Sequence, residues 1–205
     1  MNRAAFYLAR TLRNESALTS LSVSQGDLLA ATAGKTVALV GNARSLAQAG
    51  HGRQIDAAGL VVRINRAPMP AAESHGRRTD WLALAVRLPE AERARIDPGR
   101  ILWMSPKRKR LDWQSATSPG FYLHPLPDFL ALKDRLGAPP TTGAMLIDLL
   151  LRAPLASLTL YGFDFFASLS LSGSRNAAQV PHDFAAEAAW VADRERTDAR
   201  LSVVR

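Results

Sequence analysis

Residues 36–45 read Thr36-Val37-Ala38-Leu39-Val40-Gly41-Asn42-Ala43-Arg44-Ser45, with Gly34 just before them. A strand with one wet face alternates apolar and polar residues, whereas a strand covered on both faces reads as a continuous apolar run. Thr36–Val40, bounded by glycines, is of the second kind, the signal of a buried strand in a parallel sheet. Similar runs follow at Leu60-Val61-Val62-Arg63-Ile64, Trp81 to Val86, Ile101 to Met104, Leu158 to Tyr161 and Leu201 to Val204. Helical patterns lie between some of them. Ala144 to Ala153 is apolar, rich in good helix formers, and stops before Pro154; Phe184 to Arg196 is rich in Ala and Glu. Strands alternating with helices predict a single α/β domain, Rossmann-like, with a mostly parallel, twisted sheet. The 205 residues, 47% hydrophobic, suit one domain with a sizeable core. Residues 1–34 carry scattered apolar positions and predict an N-terminal helical extension, a helix or two outside the core, leaving 35–205 as the domain proper. Ala167 to Val180 reads as a long loop, of the kind that is usually functional or disordered.

Composition narrows the classes. With no cysteine, disulfide and thiolate chemistry are excluded, which fits a reducing compartment. No stretch has the length of a spanning helix, and Arg3, Arg10 and Arg13 interrupt the start where a signal peptide would be apolar. A soluble, cytoplasmic protein is expected. The net charge of +8 points to anionic partners: nucleic acid, an anionic membrane surface, or anionic substrates. The densest basic run, Lys107-Arg108-Lys109-Arg110, reads first as a solvated loop and next as a membrane contact. No nucleic-acid module accompanies it, so no nucleic acid is expected.

The chemistry-bearing residues fall at strand ends and helix starts. Gly41, Asn42 and Ala43 directly follow the first core strand, and in open parallel sheets ligands bind at the carboxyl ends of strands. Gly41 admits close backbone approach, and Asn42 offers both a donor and an acceptor. The dinucleotide fingerprint GxGxxG is missing, which disfavours a nicotinamide or flavin cofactor. Taken alone, this piece is equally an ordinary strand-ending turn. About twenty residues on, Arg63 and Asn65 alternate with apolar residues in Val62-Arg63-Ile64-Asn65-Arg66-Ala67-Pro68, which predicts both on one face. Asn42 and Asn65 are then expected on adjacent strand ends, facing one ligand. Thr141, Thr142 and Gly143 precede a helix, whose free N–H groups suit a phosphate; a plain N-cap is compatible with that. His182 follows Pro181 and precedes a helix that Asp183 can cap, where the positive helix end disfavours imidazolium. His51, His75 and His124 read as structural or solvent-facing. No His, Asp or Glu group has metal-ligand spacing, Asp164 stands alone, and the Gly-x-Ser-x-Gly elbow is absent.

The segment from Val37 to Pro68 resembles the long sialyl motif of the family 29 sialyltransferases. Pro140-Thr141-Thr142-Gly143, an apolar helix and Leu160-Tyr161-Gly162-Phe163 resemble the short motif. His182 and Glu187, with four residues between them, resemble the very short motif. All three stand in the family's order. The resemblance implies a GT-A-like sialyltransferase variant of the fold. It implies transfer of sialic acid, or the related Kdo, from a CMP-activated donor to a glycan hydroxyl, with inversion and with neither metal nor other cofactor. The donor would be held by Gly41, Asn42, Ala43, Arg63, Asn65, Thr141, Thr142, Gly143 and Gly162. His182 would be the general base and Glu187 its support.

Three departures carry expectations of their own. Animal members join the long and short motifs by a disulfide; the matching positions here are Val37 and Leu155, which are expected to pack together. The family's third motif has no counterpart, its place being taken by Ser168-Leu169-Ser170-Leu171-Ser172, with Arg175 as a substitute on charge alone. An inactive CMP-binding relative is therefore one alternative, and a basic membrane or nucleic-acid adaptor is another. Finally, a cysteine-free, unanchored member is expected to be bacterial, building surface glycans such as lipooligosaccharide from the cytoplasmic side, with peripheral contact at the anionic inner membrane face.

Overall fold

The computed structural model describes residues 1–164 and 181–204. The expected strands form at β1 (Thr36–Val40), β2 (Leu60–Ile64), β3 (Trp81–Leu84), β4 (Arg100–Trp103), β6 (Ser157–Tyr161) and β7 (Leu201–Val203); a two-residue strand, β5 (Tyr122–Leu123), was not expected. Every pairing is parallel, in the order β5-β4-β3-β2-β1-β6-β7. The chain thus grows from β1 out to β5, then returns to the other side of β1. That reversal makes β1 and β6 the switch point, where adjoining connections leave in opposite directions and a crevice opens beyond the carboxyl ends.

Alternation along the strands sorts the core into layers. Val37, Leu39, Leu60, Val62, Leu102, Leu158 and Leu160 share one apolar cluster with α8 (Leu126–Leu136), α9 (Thr142–Leu151) and α10 (Phe184–Thr197). The other face holds two separate clusters. Ala38, Val40 and Val61 pack with Ile55 of α4 (Gly52–Ala57). Leu82, Leu84, Ile101 and Trp103 pack with Phe6 of α1 (Arg3–Leu12), Leu18 of α2 (Glu15–Thr19), Ile96 of α6 (Glu90–Ile96) and Ala116 of α7 (Trp113–Ala116). Covering both faces is why the strands read as continuous apolar runs.

The N-terminal residues are helical as expected, in α1, α2 and α3 (Gln25–Ala30), but they do not lie outside the core. Phe6, Leu18 and Leu28 are fully buried in the two larger clusters. The basic run is not wholly solvated either. Arg108 is buried, held by Glu15 at 3.0 Å, Ser105 O at 2.8 Å and His124 O at 2.7 Å. Val37 and Leu155 are both buried in the same cluster. Gly34 N donates to Pro154 O and Ala156 N to Lys35 O, each at 2.9 Å, so their segments run side by side. Ser168–Ser172, Arg175 and the loop 167–180 lie outside the described residues.

Candidate donor and catalytic site

The carboxyl ends of β1 and β6 cross at two glycines. Gly41 N donates to Tyr161 O at 2.7 Å, and Ala43 N to Gly162 O at 3.2 Å. A methyl group on Gly41 would collide with the Gly162 carbonyl oxygen and stand 3.1 Å from Phe163 Cδ2. Gly162 itself has φ 67°, a left-handed conformation that glycine adopts without penalty. Gly41 thus makes room for the backbone that leaves β6 at Gly162.

Asn42 and Asn65 do stand at neighbouring strand ends. Asn42 Nδ2 donates to Ile64 O at 3.2 Å, and Asn65 Oδ1 accepts from Ala85 N at 2.9 Å. Their half-buried amides border the crevice while fixing the ends of β2 and β3. Asn65 has φ 53° and Ala67 φ 40°. Asn tolerates this region through its short polar side chain, but Ala there costs about 1–2 kcal/mol, and such strain gathers at functional sites.

Because Asn65 leaves the extended region, the alternation ends before it, and Arg63 behaves differently. Arg63 is 1% exposed, on the same face as Val61, between the two clusters of that face. Its Nε donates to Arg78 O and Thr79 Oγ1, and its terminal nitrogen to His75 O at 2.7 Å. Burial pulls the guanidinium down to about 10, with Asp56 opposing. These bonds hold the segment that leads into β3.

The short and very short motifs meet at two points, 46 and 43 residues apart in sequence. Thr141 caps α9, its Oγ1 accepting from Ala144 N at 3.1 Å. Thr141 also donates its N–H to Glu187 Oε1 at 2.6 Å and its hydroxyl to Oε2 at 2.7 Å. Both Thr141 donors thus rest on a buried carboxylate, and Glu187 ties the start of α10 to the start of α9 by hydrogen bonding. Burial raises the Glu187 carboxyl above its usual range, with the Thr141 bonds opposing. The amides of Thr142 and Gly143 have no hydrogen-bond partner among the described residues, and they carry the positive end of α9.

His182 Nδ1 lies 2.7 Å from Pro139 O. A carbonyl oxygen can only accept, so Nδ1 carries the hydrogen, and in the neutral ring Nε2 is the basic nitrogen. Asp183 caps α10 through Ala186 N, as expected.

Phe163 is the residue that sequence reasoning missed. A methyl group on Gly143 would lie 2.7 Å from its Cε1, and Gly41 faces the same ring. One phenyl ring thus joins the starts of both motifs; the pair of ring-facing glycines becomes legible only once the strands are adjacent. Beside it opens a cavity of about 500 Å³ lined by Ser45, His51, Gly162, Phe163 and Asp164, among others. His124 is buried and burial pulls it down to about 4, while His75 is buried and lowered for the same reason; both are structural, as expected. Among the described residues no group of three or more His, Cys, Asp or Glu could hold a metal ion, and no helix is long and apolar enough to cross a membrane.

Residues 9–97 match the model of glycosyltransferase family 29 (sialyltransferase). No curated protein sequence matches. Two solved structures are similar in fold. One is a mammalian sialyltransferase in complex with Gal-beta-1-3GalNAc-ortho-nitrophenol, at 18% identity and TM-score 0.60, over 83% of this chain and 69% of that one. The other is a mammalian sialyltransferase at 18% identity and TM-score 0.62, with the same coverage. Residues 9–97 are thus similar in sequence to family 29, and the fold of the whole chain is similar to that of the two sialyltransferases.

Proposed function

We propose that the protein transfers sialic acid, or Kdo, from its CMP donor to a hydroxyl of a glycan acceptor, with inversion. His182 Nε2 takes the proton of the acceptor hydroxyl as its oxygen attacks the anomeric carbon. The bond from that carbon to the donor phosphate breaks, its electron pair leaving on CMP. The observation that carries this reading is the bond from His182 Nδ1 to Pro139 O, which leaves Nε2 as the base and seats it against the segment that opens α9. In this reading the amides of Thr142 and Gly143 receive the leaving phosphate or the donor carboxylate, and stabilisation by such fixed dipoles needs no metal. Asn42 and Asn65 hold the nucleotide from the ends of β1 and β2, with Ala43 and Gly162 shaping the crevice. The acceptor class to try first is a galactose-containing disaccharide of the kind bound by the mammalian neighbour. A cytoplasmic location, peripheral to an anionic membrane, belongs to the same reading.

The first test is calorimetry with CMP, using UMP and AMP as controls, on the wild type and Asn65→Ala. Selective CMP binding that the variant loses supports the donor site; no nucleotide binding at all overturns it. His182→Ala should keep CMP affinity and lose turnover by about 10²–10⁴-fold. An unchanged rate would remove His182 from the base role, and CMP binding without transfer by the wild type would make the protein an inactive relative.

A further inference from the structure

Five large apolar side chains stand exposed among the described residues, and three of them, Met1, Leu8 and Leu12, belong to α1 and its entry. Leu8 and Leu12 are 61% and 69% exposed. By the 3.6-residue repeat, positions 1, 4, 5, 8 and 12 fall on one side of the helix, adding Ala4 and Ala5, both exposed. The opposite side carries Phe6 and Ala9, buried in the core. The helix is therefore apolar on two faces, only one of which the fold covers. Across the helix from this stripe lies a basic and aromatic side: Arg3 and Arg10 lie over the Tyr7 ring at 5.8 and 4.7 Å, and Arg13 is exposed at the C-cap. The basic run adjoins it. Arg10 donates to Leu111 O at 2.8 Å, and Arg108 pairs with Glu15 of α2, which leaves Lys107, Lys109 and Arg110 exposed beside the helix.

We infer that α1, together with residues 107–110, docks on an anionic lipid bilayer. An exposed apolar stripe on a helix whose polar side carries arginines is the pattern of a helix that lies in a membrane interface, and the exposed lysines and arginine near the helix add attraction to anionic headgroups. Charge decides the occupant. A chain of net charge +8 repels a second copy brought face to face with it and is drawn to an anionic surface. The topology gives the docking a purpose. All strands are parallel, and residues 107–110 follow the carboxyl end of β4, the same end of the sheet as Asn42, Asn65 and Gly162. Docking there brings the crevice edge toward the bilayer, where a lipid-linked acceptor would be presented. The membrane contact of the proposed function thereby gains a surface, but binding to lipid does not depend on catalysis and is tested apart from it.

The test is flotation of the full chain with phosphatidylglycerol–phosphatidylcholine vesicles and with phosphatidylcholine alone. It compares wild type, Leu8→Ser/Leu12→Ser and Lys109→Glu/Arg110→Glu, with circular dichroism and CMP binding as checks on folding. Supporting results are binding to the anionic vesicles that salt weakens, reduced at least about ten-fold by the leucine pair and clearly by the charge reversal. Vesicle binding unchanged in the leucine variant overturns the assignment. So does no binding to anionic vesicles, or self-association in solution that the leucine variant abolishes, which would hand the stripe to a second copy.

Discussion

Gly41 and Gly143 face the same phenyl ring, that of Phe163, from motifs a hundred residues apart. Gly41 is closed in by backbone as well as by the ring, so nothing around it can step aside. Gly41→Ala should therefore destabilise the fold by about 1–3 kcal/mol, read from chemical denaturation. It should do so without ligand, which separates close packing from a loss of nucleotide contact. That a glycine was needed here is legible in the strand-then-turn pattern; what it makes room for is not, because Gly162 lies far along the chain. Arg63 teaches the same lesson. Its position in an apolar run announces burial, but its partners are carbonyls of residues 75 and 78, which carry no sequence signature.

At the scale of elements, α9 and α10 are joined at their starts by the Glu187–Thr141 bonds and the His182–Pro139 bond. Removing the carboxylate in Glu187→Ala would leave the Thr141 N–H without its partner, at a cost of about 1–3 kcal/mol. The seating of His182 rests on the same pair of segments. We expect this variant to lose both melting temperature and turnover, with CMP affinity less affected; turnover unchanged at a temperature where the variant is folded would dismiss the positioning role. The long apolar strands and the two helices were legible because each repeats its pattern over several residues. Neither β5 nor α8 was. Two residues cannot show a period, and α8 opens Pro125-Leu126-Pro127, which reads as loop although proline is well placed in a first helical turn.

For the whole molecule, acid is the informative perturbation. His124 is buried, borders Arg108, and is drawn from the ordinary 6.5 to about 4 by desolvation. A base whose folded pKa is lowered is neutral in the fold, while the unfolded chain already takes up the proton near 6.5. Stability is thus full above that value and falls as pH drops through the window from 6.5 to about 4, by up to about 3 kcal/mol. His75, lowered for the same reason, works in the same direction, whereas Glu187, raised by burial, works in the opposite one. Denaturation midpoints measured from pH 7 to 4 should show the loss, and His124→Phe should flatten it; an unflattened curve would place the acid sensitivity elsewhere.

The strand order also has a consequence during synthesis. Of this sheet's strands β1 leaves the ribosome first, and its partner on one side, β2, follows at once. Its partner on the other side, β6, begins only at Ser157. Until then a nascent chain that has already paired β1 through β5 carries Thr36–Val40 as a bare, apolar edge, the kind of edge that pairs with other chains. A ribosome pausing between Leu136 and Ser157 would prolong that state, and the segment that most needs a chaperone is therefore the one that ends up at the centre of the finished sheet.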